Sequence, residues 1–200
     1  RAPDSLCNRQ CSCAATAVAS PRVPPASSPA MIAKWLQPAT PQRRRIMLEH
    51  VTPIWTGRVL QLNLERVRLP NGASAELEIA HHPGGAAVVA IDDQQRVCLL
   101  HQFRHAAGGW IRELPAGKID NREPPLQTAE RELAEEGAVT AAHWRSLGDY
   151  LSSPGVFTEV IHLYLATGLT PASAAPEQHE VFQVEWRLFR EVLAMAQSGE

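Results

Sequence analysis

Acidic residues are almost absent from the start of the chain. Residues 1–46 contain seven basic side chains, a single acid, Asp4, and seven of the sixteen prolines. The segment is rich in Ala, Ser and Pro and has no periodic apolar face, so it cannot bury enough surface to offset its ordering entropy. We expect residues 1–46 to be a largely disordered leader or upstream extension, and residues 47–200 to form the folded domain.

Cysteine is scarce, and long apolar runs are missing. Three of the four cysteines lie in residues 1–46, where no convincing fourth ligand completes a structural zinc site. The other, Cys98, lies in an apolar run where a small buried thiol is ordinary. No stretch approaches the roughly twenty apolar residues of a membrane span, and the short basic run Arg43–Arg45 is typical of a solvated surface. We therefore expect a cytoplasmic protein that binds neither membrane nor nucleic acid.

Acidic side chains are concentrated in the stretch GKIDNREPPLQTAERELAEEGAV, residues 117–139. Within it, Glu132, Glu135 and Glu136 fall three and four residues apart. On a helix advancing about 100° per residue, these carboxylates share one face, where like charges repel by a few tenths of a kcal/mol each. A hard divalent cation such as Mg²⁺ would offset this repulsion and could bridge to a substrate phosphate. A solvated acidic face is the alternative that the cluster alone leaves open.

The same stretch resembles the Nudix box, in which a glycine, five residues, Glu and seven residues precede Arg-Glu-apolar-any-Glu-Glu-any-Gly-apolar. The matching positions are Gly117, Glu123, Arg131, Glu132, Leu133, Glu135, Glu136 and Val139. One position departs, because Ala138 stands where the box has its second glycine, and Gly137 precedes it. Either the helix ends one residue early, or Ala138 replaces the glycine that normally relaxes the backbone at a helix C terminus.

The remaining pattern predicts alternating strands and two helices. Leu60–Leu64 alternates as a half-buried strand, and Asn71–Gly72 forms a tight turn. Pro124 and Pro125 suit the start of the box helix. Further strands are predicted around residues 77–79 and at residues 86–91, 96–103, 110–114, 160–166 and 181–186, with a hairpin turn at 92–95, a turn at 115–117 and an amphipathic helix at 187–197. This pattern predicts an α/β (α+β) class. The resemblance implies the Nudix α/β/α sandwich, with a mixed β-sheet between helices.

Residues outside the box resemble the ADP-ribose pyrophosphatases of the same family. The run HQFRHAAGGWIRELPAGKID, residues 101–120, carries Gln-Phe-Arg and Glu-Leu-Pro-Ala-Gly, and Pro154 lies fifteen residues past the box, where that subfamily places a proline. The resemblance implies that Arg104 grips phosphate or the terminal ribose, unless it forms only a structural salt bridge. Glu113 would contact ribose hydroxyls or brace Arg104. Trp55, placed ahead of the first strand, would stack on adenine.

The resemblance also implies how a diphosphate would be cleaved. Two negative phosphoryl groups repel hydroxide, so the reaction needs a cation that neutralises charge and activates water. The implied ligands of Mg²⁺, with Mn²⁺ as an alternative, are Glu132, Glu136 and the backbone carbonyl of Ala116. Glu135 would assist in the metal shell. Arg131 would orient the carboxylates with Glu123 as its partner.

A general base must reach the attacking water. In this subfamily a late acidic loop often supplies it, and Glu180 fits that position best, with Glu177 as second choice. The implied enzyme is a Nudix pyrophosphohydrolase, forming a homodimer, that cleaves ADP-ribose to AMP and ribose 5-phosphate. Its alternative substrates are GDP-mannose, NADH and dinucleoside polyphosphates. A non-catalytic Nudix-fold ligand-binding module is the alternative class, although such modules usually lose box carboxylates that this chain retains.

Overall fold

A computed structural model describes residues 47–120, 122–173 and 181–199. The expected leader and the general-base candidates Glu177 and Glu180 lie outside the described residues. The described strands are β1 Met47–Thr56, β2 Gln61–Arg68, β3 Ser74–His81, β4 Gly85–Ala90, β5 Arg96–Arg104, β6 Gly109–Glu113, β7 Ala116–Lys118, β8 Val139–Leu151, β9 Val160–Pro171 and β10 Phe182–Leu188. The helices are α1 Pro125–Gly137 and α2 Phe189–Ser198, with a short 3-10 helix at His105–Ala107.

These strands form three sheets. An antiparallel sheet has the order β1-β2-β3, and a second has the order β10-β5-β6. The third has the order β7-β4-β9-β8 and is mixed, because β4 runs parallel to β9 while the other pairs are antiparallel. The predicted α/β class with a mixed sheet is confirmed.

The segment Asp92–Gln95 forms the predicted turn, but the strands beside it do not form a hairpin. The Asp92 amide donates to the Arg96 carbonyl, and among the described residues the only bridge between the two strands joins Ile91 to Val97. Beyond it, β4 pairs with β7 and β9, whereas β5 pairs with β6 and β10. The hairpin prediction was wrong because continuous apolar runs indicate burial without indicating the partner strand.

Small residues on β4 allow α1 to pack closely on the mixed sheet. Ala129 and Leu133 of α1 are fully buried in one cluster with Ala86, Val88 and Ala90 of β4. Burying a leucine side chain contributes about 1.5–3 kcal/mol, so Leu133 is a main anchor of the helix. This packing fixes α1 beside β7 and holds its carboxylates against the backbone of that strand.

The box helix ends in an unusual way. Ala138 follows α1 with φ 55° and ψ 30°, the left-handed conformation that glycine normally adopts there. Of the two alternatives for this position, the replacement of glycine by Ala138 is therefore confirmed. Gly137 meets a packing requirement, because an added Cβ would lie 3.0 Å from Leu133 Cδ1 and 3.5 Å from Cys98 Sγ. The chain thus has glycine at position 137, where a Cβ would be crowded. It has alanine at position 138, where the left-handed conformation costs about 1–2 kcal/mol.

Two local expectations are corrected, and one strand was missed. Trp55 lies inside β1, not ahead of the first strand, because Met47–Thr56 pairs with β2 along its whole length. The expected turn at Pro115–Gly117 is instead largely the short strand β7, whose backbone pairs with β4. The long strand β8 was not anticipated. Across residues 47–120, 122–173 and 181–199, no helix is both long and apolar enough to cross a membrane.

Candidate active site

Arg131 lies at the centre of the acidic cluster. Its Nη1 donates to Glu132 Oε1 at 2.8 Å and to Glu135 Oε2 at 3.1 Å. Its Nη2 donates to Glu123 Oε1 at 2.9 Å and to the Lys118 carbonyl at 3.3 Å. One guanidinium therefore donates hydrogen bonds to three carboxylates and to the carbonyl at the end of β7. These charge-assisted bonds offset the repulsion that the spacing of the carboxylates creates.

Glu123 is the carboxylate outside the helix that accepts a hydrogen bond from this guanidinium. The hydrogen bond from Arg131 lowers the pKa of the Glu123 carboxyl, against burial, which acts to raise it. For Arg131, burial acts to lower the pKa, but the bond to Glu123 and the charge of Glu132 outweigh it and raise the pKa of the guanidinium. Both groups are therefore charged at neutral pH, and their contact is a permanent ion pair.

Gly117 provides the space that the Glu132 carboxylate occupies. A Cβ added at Gly117 would lie 1.8 Å from Glu132 Oε1 and 2.2 Å from its Cδ. The φ angle of Gly117 is not positive, so the need for glycine here is steric and does not arise from backbone conformation. Glu132, of which 7% is exposed, is consequently held directly over the backbone of β7.

Glu136 contacts Ala116, the residue that precedes Gly117 in β7. Its Oε2 accepts a hydrogen bond from the Ala116 amide at 2.9 Å, and only 1% of the residue is exposed. Burial, and then the negative charge of Glu136, raise the pKa of the Cys98 thiol to about 12. Two nearly buried carboxylates, Glu132 and Glu136, thus lie one helical turn apart against the Ala116–Gly117 backbone.

This donor set fits a hard divalent cation. Burying charged carboxylates is costly unless cations or hydrogen bonds offset the cost, and Mg²⁺ prefers carboxylate and carbonyl oxygens. In the part of the chain that is described, no group of three or more His, Cys, Asp and Glu side chains is arranged to hold a metal ion. The predicted set is compatible with this, because it combines two side chains, Glu132 and Glu136, with a backbone carbonyl. Glu135 points to Arg131 instead.

The other predicted site residues lie in different sheets. Arg104 Nε donates to Glu113 Oε2 at 2.7 Å across β5 and β6, and the side chains are 43% and 30% exposed. This contact is the one expected if Glu113 braces Arg104. Trp55 is 57% exposed, and its indole lies over Gly57, where an added Cβ would come within 2.0 Å of the ring. The box residues are thus brought together, while Arg104 and Glu113 form a separate pair and Trp55 lies on β1.

Thr128 is a contributor to the network that the sequence pattern did not reveal. Its hydroxyl donates to Glu123 Oε1 at 2.9 Å from a fully buried position on α1. The available signal was a hydroxyl beside the apolar residue Ala129, facing the packed side of the helix. The Lys118 carbonyl, which accepts from Arg131, could not be identified in this way because every residue carries a carbonyl.

Comparison with known proteins decides the family of this site. The family model described as the NUDIX domain matches residues 81–200, which include every described box residue. The chain belongs to the Nudix family. The predicted family resemblance is therefore confirmed.

Similar proteins also cover most of this Nudix chain. The methanol dehydrogenase activator of Bacillus methanolicus is 41% identical over 117 residues, which are 58% of this chain and 63% of that protein. The ADP-ribose pyrophosphatase of Bacillus subtilis (strain 168) is 38% identical over 133 residues, 66% of this chain and 70% of that protein. The chain thus spans less than two thirds of the length of the methanol dehydrogenase activator.

A solved structure, the crystal structure of an ADP compounds hydrolase, superimposes with a TM-score of 0.65 at 18% identity, covering 76% of this chain and 83% of that one. At that identity it shows the fold alone.

Proposed function

We propose that this Nudix chain hydrolyses the diphosphate bond of a nucleoside diphosphate sugar, and that ADP-ribose is cleaved to AMP and ribose 5-phosphate. The observation that carries the proposal is the placement of Glu132 and Glu136 against the Ala116–Gly117 backbone, with Arg131 bonded beside them. Retention of these carboxylates favours an enzyme over a binding module. The similarity to the ADP-ribose pyrophosphatase of Bacillus subtilis supports the choice of substrate.

Glu132, Glu136 and the Ala116 carbonyl would hold the divalent cation, Mg²⁺ with Mn²⁺ as an alternative. When bound, such a cation neutralises phosphate charge and lowers the pKa of a coordinated water. Arg131 keeps the carboxylates in fixed positions through its bonds to Glu132 and Glu135. Glu135 is a third exposed, so it can assist from the solvent side of the cluster.

The remaining residues would recognise the substrate and complete the reaction. Arg104 uses its Nε for Glu113, and the rest of its planar guanidinium can make bidentate contacts with phosphate. Glu113 then braces Arg104, and Trp55 offers an exposed ring for the base. We assign the general base to Glu180, with Glu177 as second choice, because the late acidic loop often supplies this group in similar enzymes.

We further propose a cytoplasmic homodimer. The support for a dimer is β1, an edge strand whose apolar side chains Met47, Leu48 and Ile54 are all more than half exposed. A long exposed edge strand with apolar side chains favours pairing with another chain. The early strands would therefore contribute to the interface.

A substrate panel tests the proposed reaction. The full chain is incubated with Mg²⁺ and, separately, with ADP-ribose, GDP-mannose, NADH and a diadenosine polyphosphate, and products are identified by mass spectrometry. We expect the highest kcat/KM with ADP-ribose and the appearance of AMP and ribose 5-phosphate. A higher kcat/KM with GDP-mannose would overturn the substrate assignment. Binding of a nucleotide sugar without turnover of any would favour the non-catalytic module.

A further inference from the structure

A buried hydroxyl on α1 is joined to the charged network around the carboxylates. Thr128 is fully buried, and its Oγ1 donates to Glu123 Oε1 at 2.9 Å. The same oxygen of Glu123 accepts from Arg131 Nη2 at 2.9 Å. Arg131 in turn donates through Nη1 to Glu132 and Glu135. A continuous path of hydrogen bonds therefore runs from Thr128 through Glu123 and Arg131 to Glu132.

Glu123 needs such a fixed partner because it precedes the helix. The N-terminal cap of α1 is Pro124, and no side chain caps this end of the helix. Besides Arg131 and Thr128, the Asp120 amide donates to Glu123 Oε1 at the longer distance of 3.3 Å. Thr128 is the donor that lies on the rigid, packed side of α1. Its hydroxyl is also held in place, since a buried polar group left without a partner costs about 1–3 kcal/mol.

We infer that Thr128 is a positioning residue of the metal site, acting through Glu123 and Arg131 on Glu132. The inference rests on the proposed function, because it assumes that Glu132 is a metal ligand. The hydroxyl fixes the side chain of Glu123, and that side chain fixes the Nη2 end of the guanidinium. Since a guanidinium is planar and rigid, fixing Nη2 also sets where Nη1 meets Glu132. Loss of the hydroxyl lets the carboxylate leave the geometry that suits a cation.

Thr128→Val tests this because valine keeps the shape of threonine and removes the hydroxyl. Mn²⁺ affinity of the full chain is measured by electron paramagnetic resonance without substrate, followed by kcat and KM for ADP-ribose. We expect about 10-fold weaker Mn²⁺ binding and about 10-fold lower kcat, as for other residues that orient metal ligands. The KM for ADP-ribose is expected to stay within about twofold, because the substrate contacts are unchanged.

Two further variants separate positioning from packing. Thr128→Ser keeps the hydroxyl and should restore Mn²⁺ affinity. Thr140→Val removes an exposed hydroxyl that bonds to Thr170 Oγ1 at 2.9 Å on β8 and β9, and it should bind Mn²⁺ as the wild type does. If the valine variant does not fold, Thr128→Ala removes the same hydroxyl from a smaller side chain.

The outcomes distinguish this inference from the proposed function. Wild-type Mn²⁺ affinity in a folded Thr128→Val or Thr128→Ala chain would overturn the role of the hydroxyl, even with ADP-ribose hydrolysis intact. An equal loss in Thr128→Ser would assign the effect to the methyl group and also overturn it. If the wild type binds Mn²⁺ but cleaves no substrate, weaker binding in Thr128→Val still supports positioning while the proposed reaction fails. A wild type that binds no Mn²⁺ overturns both.

Discussion

Replacing Gly117 by alanine should damage the metal site while leaving the fold nearly intact. The three atoms nearest to a Cβ at Gly117 all belong to the Glu132 side chain, the closest being Oε1 at 1.8 Å. An ordinary contact begins near 3.4 Å, so the carboxylate must retreat by about 3.4 − 1.8 = 1.6 Å. The end of a flexible side chain can move in this way without moving the backbone. The steric clash is therefore relieved by displacing the Glu132 carboxylate from the metal site.

The expected size of the effect follows from that displacement. A misplacement of about 1 Å in a catalytic arrangement can cost about 100-fold in rate, so kcat/KM for ADP-ribose should fall by at least about 100-fold in Gly117→Ala. Stability should change little, because alanine restricts the unfolded chain and contributes about 0.4–1 kcal/mol in compensation. Gly117→Ala should thus lose activity while keeping nearly the stability of the wild type.

The assay combines initial rates with ADP-ribose, Mn²⁺ affinity and urea unfolding on the same preparations. Gly109→Ala is the matched control, because an added Cβ there meets no atom within 4 Å and φ is not positive. The control should resemble the wild type in all three measurements. Wild-type kcat/KM and Mn²⁺ affinity in Gly117→Ala would refute the claim that Glu132 acts from its position over Gly117. A severe loss of stability would refute the claim that only the side chain moves.

Three other predictions concern the surroundings of the site. Ala138→Gly should raise the free energy of unfolding by about 1 kcal/mol in urea titrations, because glycine adopts the left-handed conformation without strain; no gain would contradict this. At Asp92, burial raises the carboxyl pKa, but bonds from the Arg96 amide and side chain and from the Gln94 amide outweigh it and lower that pKa below its ordinary 3.8. The free energy of unfolding of the wild type should therefore exceed that of Asp92→Asn by about 1 kcal/mol well above pH 3.8, and this difference should disappear as the pH falls through the lowered pKa. A stability difference that is independent of pH would contradict this assignment. Cys98, with its pKa raised to about 12, should react with iodoacetamide at pH 8 only after denaturation, as judged by peptide mapping of the fragment that contains it, and rapid labelling of Cys98 itself in the native chain would contradict its burial.

The sequence predicted the grouping of the box residues because helical spacing is a local property. Glu132, Glu135 and Glu136 share a face wherever the helix forms, and the position of Arg131 follows from the same geometry. The position of Gly117 beneath Glu132 joins residues fifteen apart in sequence, and no periodicity expresses that contact. The catalytic and binding roles of these residues stay predictions until they are measured.

Strand partners and boundaries were the less predictable part of the fold. The apolar runs of β4 and β5 indicated burial correctly, but the choice between pairing with each other and joining separate sheets depends on strands whose paired residues lie 76 to 92 positions later in the chain. In β8, the register shifts between Ser146 and Gly148. That irregularity interrupts the alternation by which strands are recognised. Thr128 was missed for a related reason, because only tertiary contact distinguishes a bonded hydroxyl from a solvated one.

The most direct test of the central claim compares two charge-neutralising variants of α1 in the full chain. Glu136→Gln alters a predicted metal ligand, whereas Glu130→Gln removes the same charge from an exposed position on the same helix. Hydrolysis of ADP-ribose is measured as Mg²⁺ is titrated. We predict that Glu136→Gln lowers kcat/KM by at least about 100-fold and requires more Mg²⁺, because a ligand to the cation contributes several kcal/mol, while Glu130→Gln behaves as wild type. Undiminished turnover by Glu136→Gln, with the Mg²⁺ dependence of the wild type, would contradict the metal site.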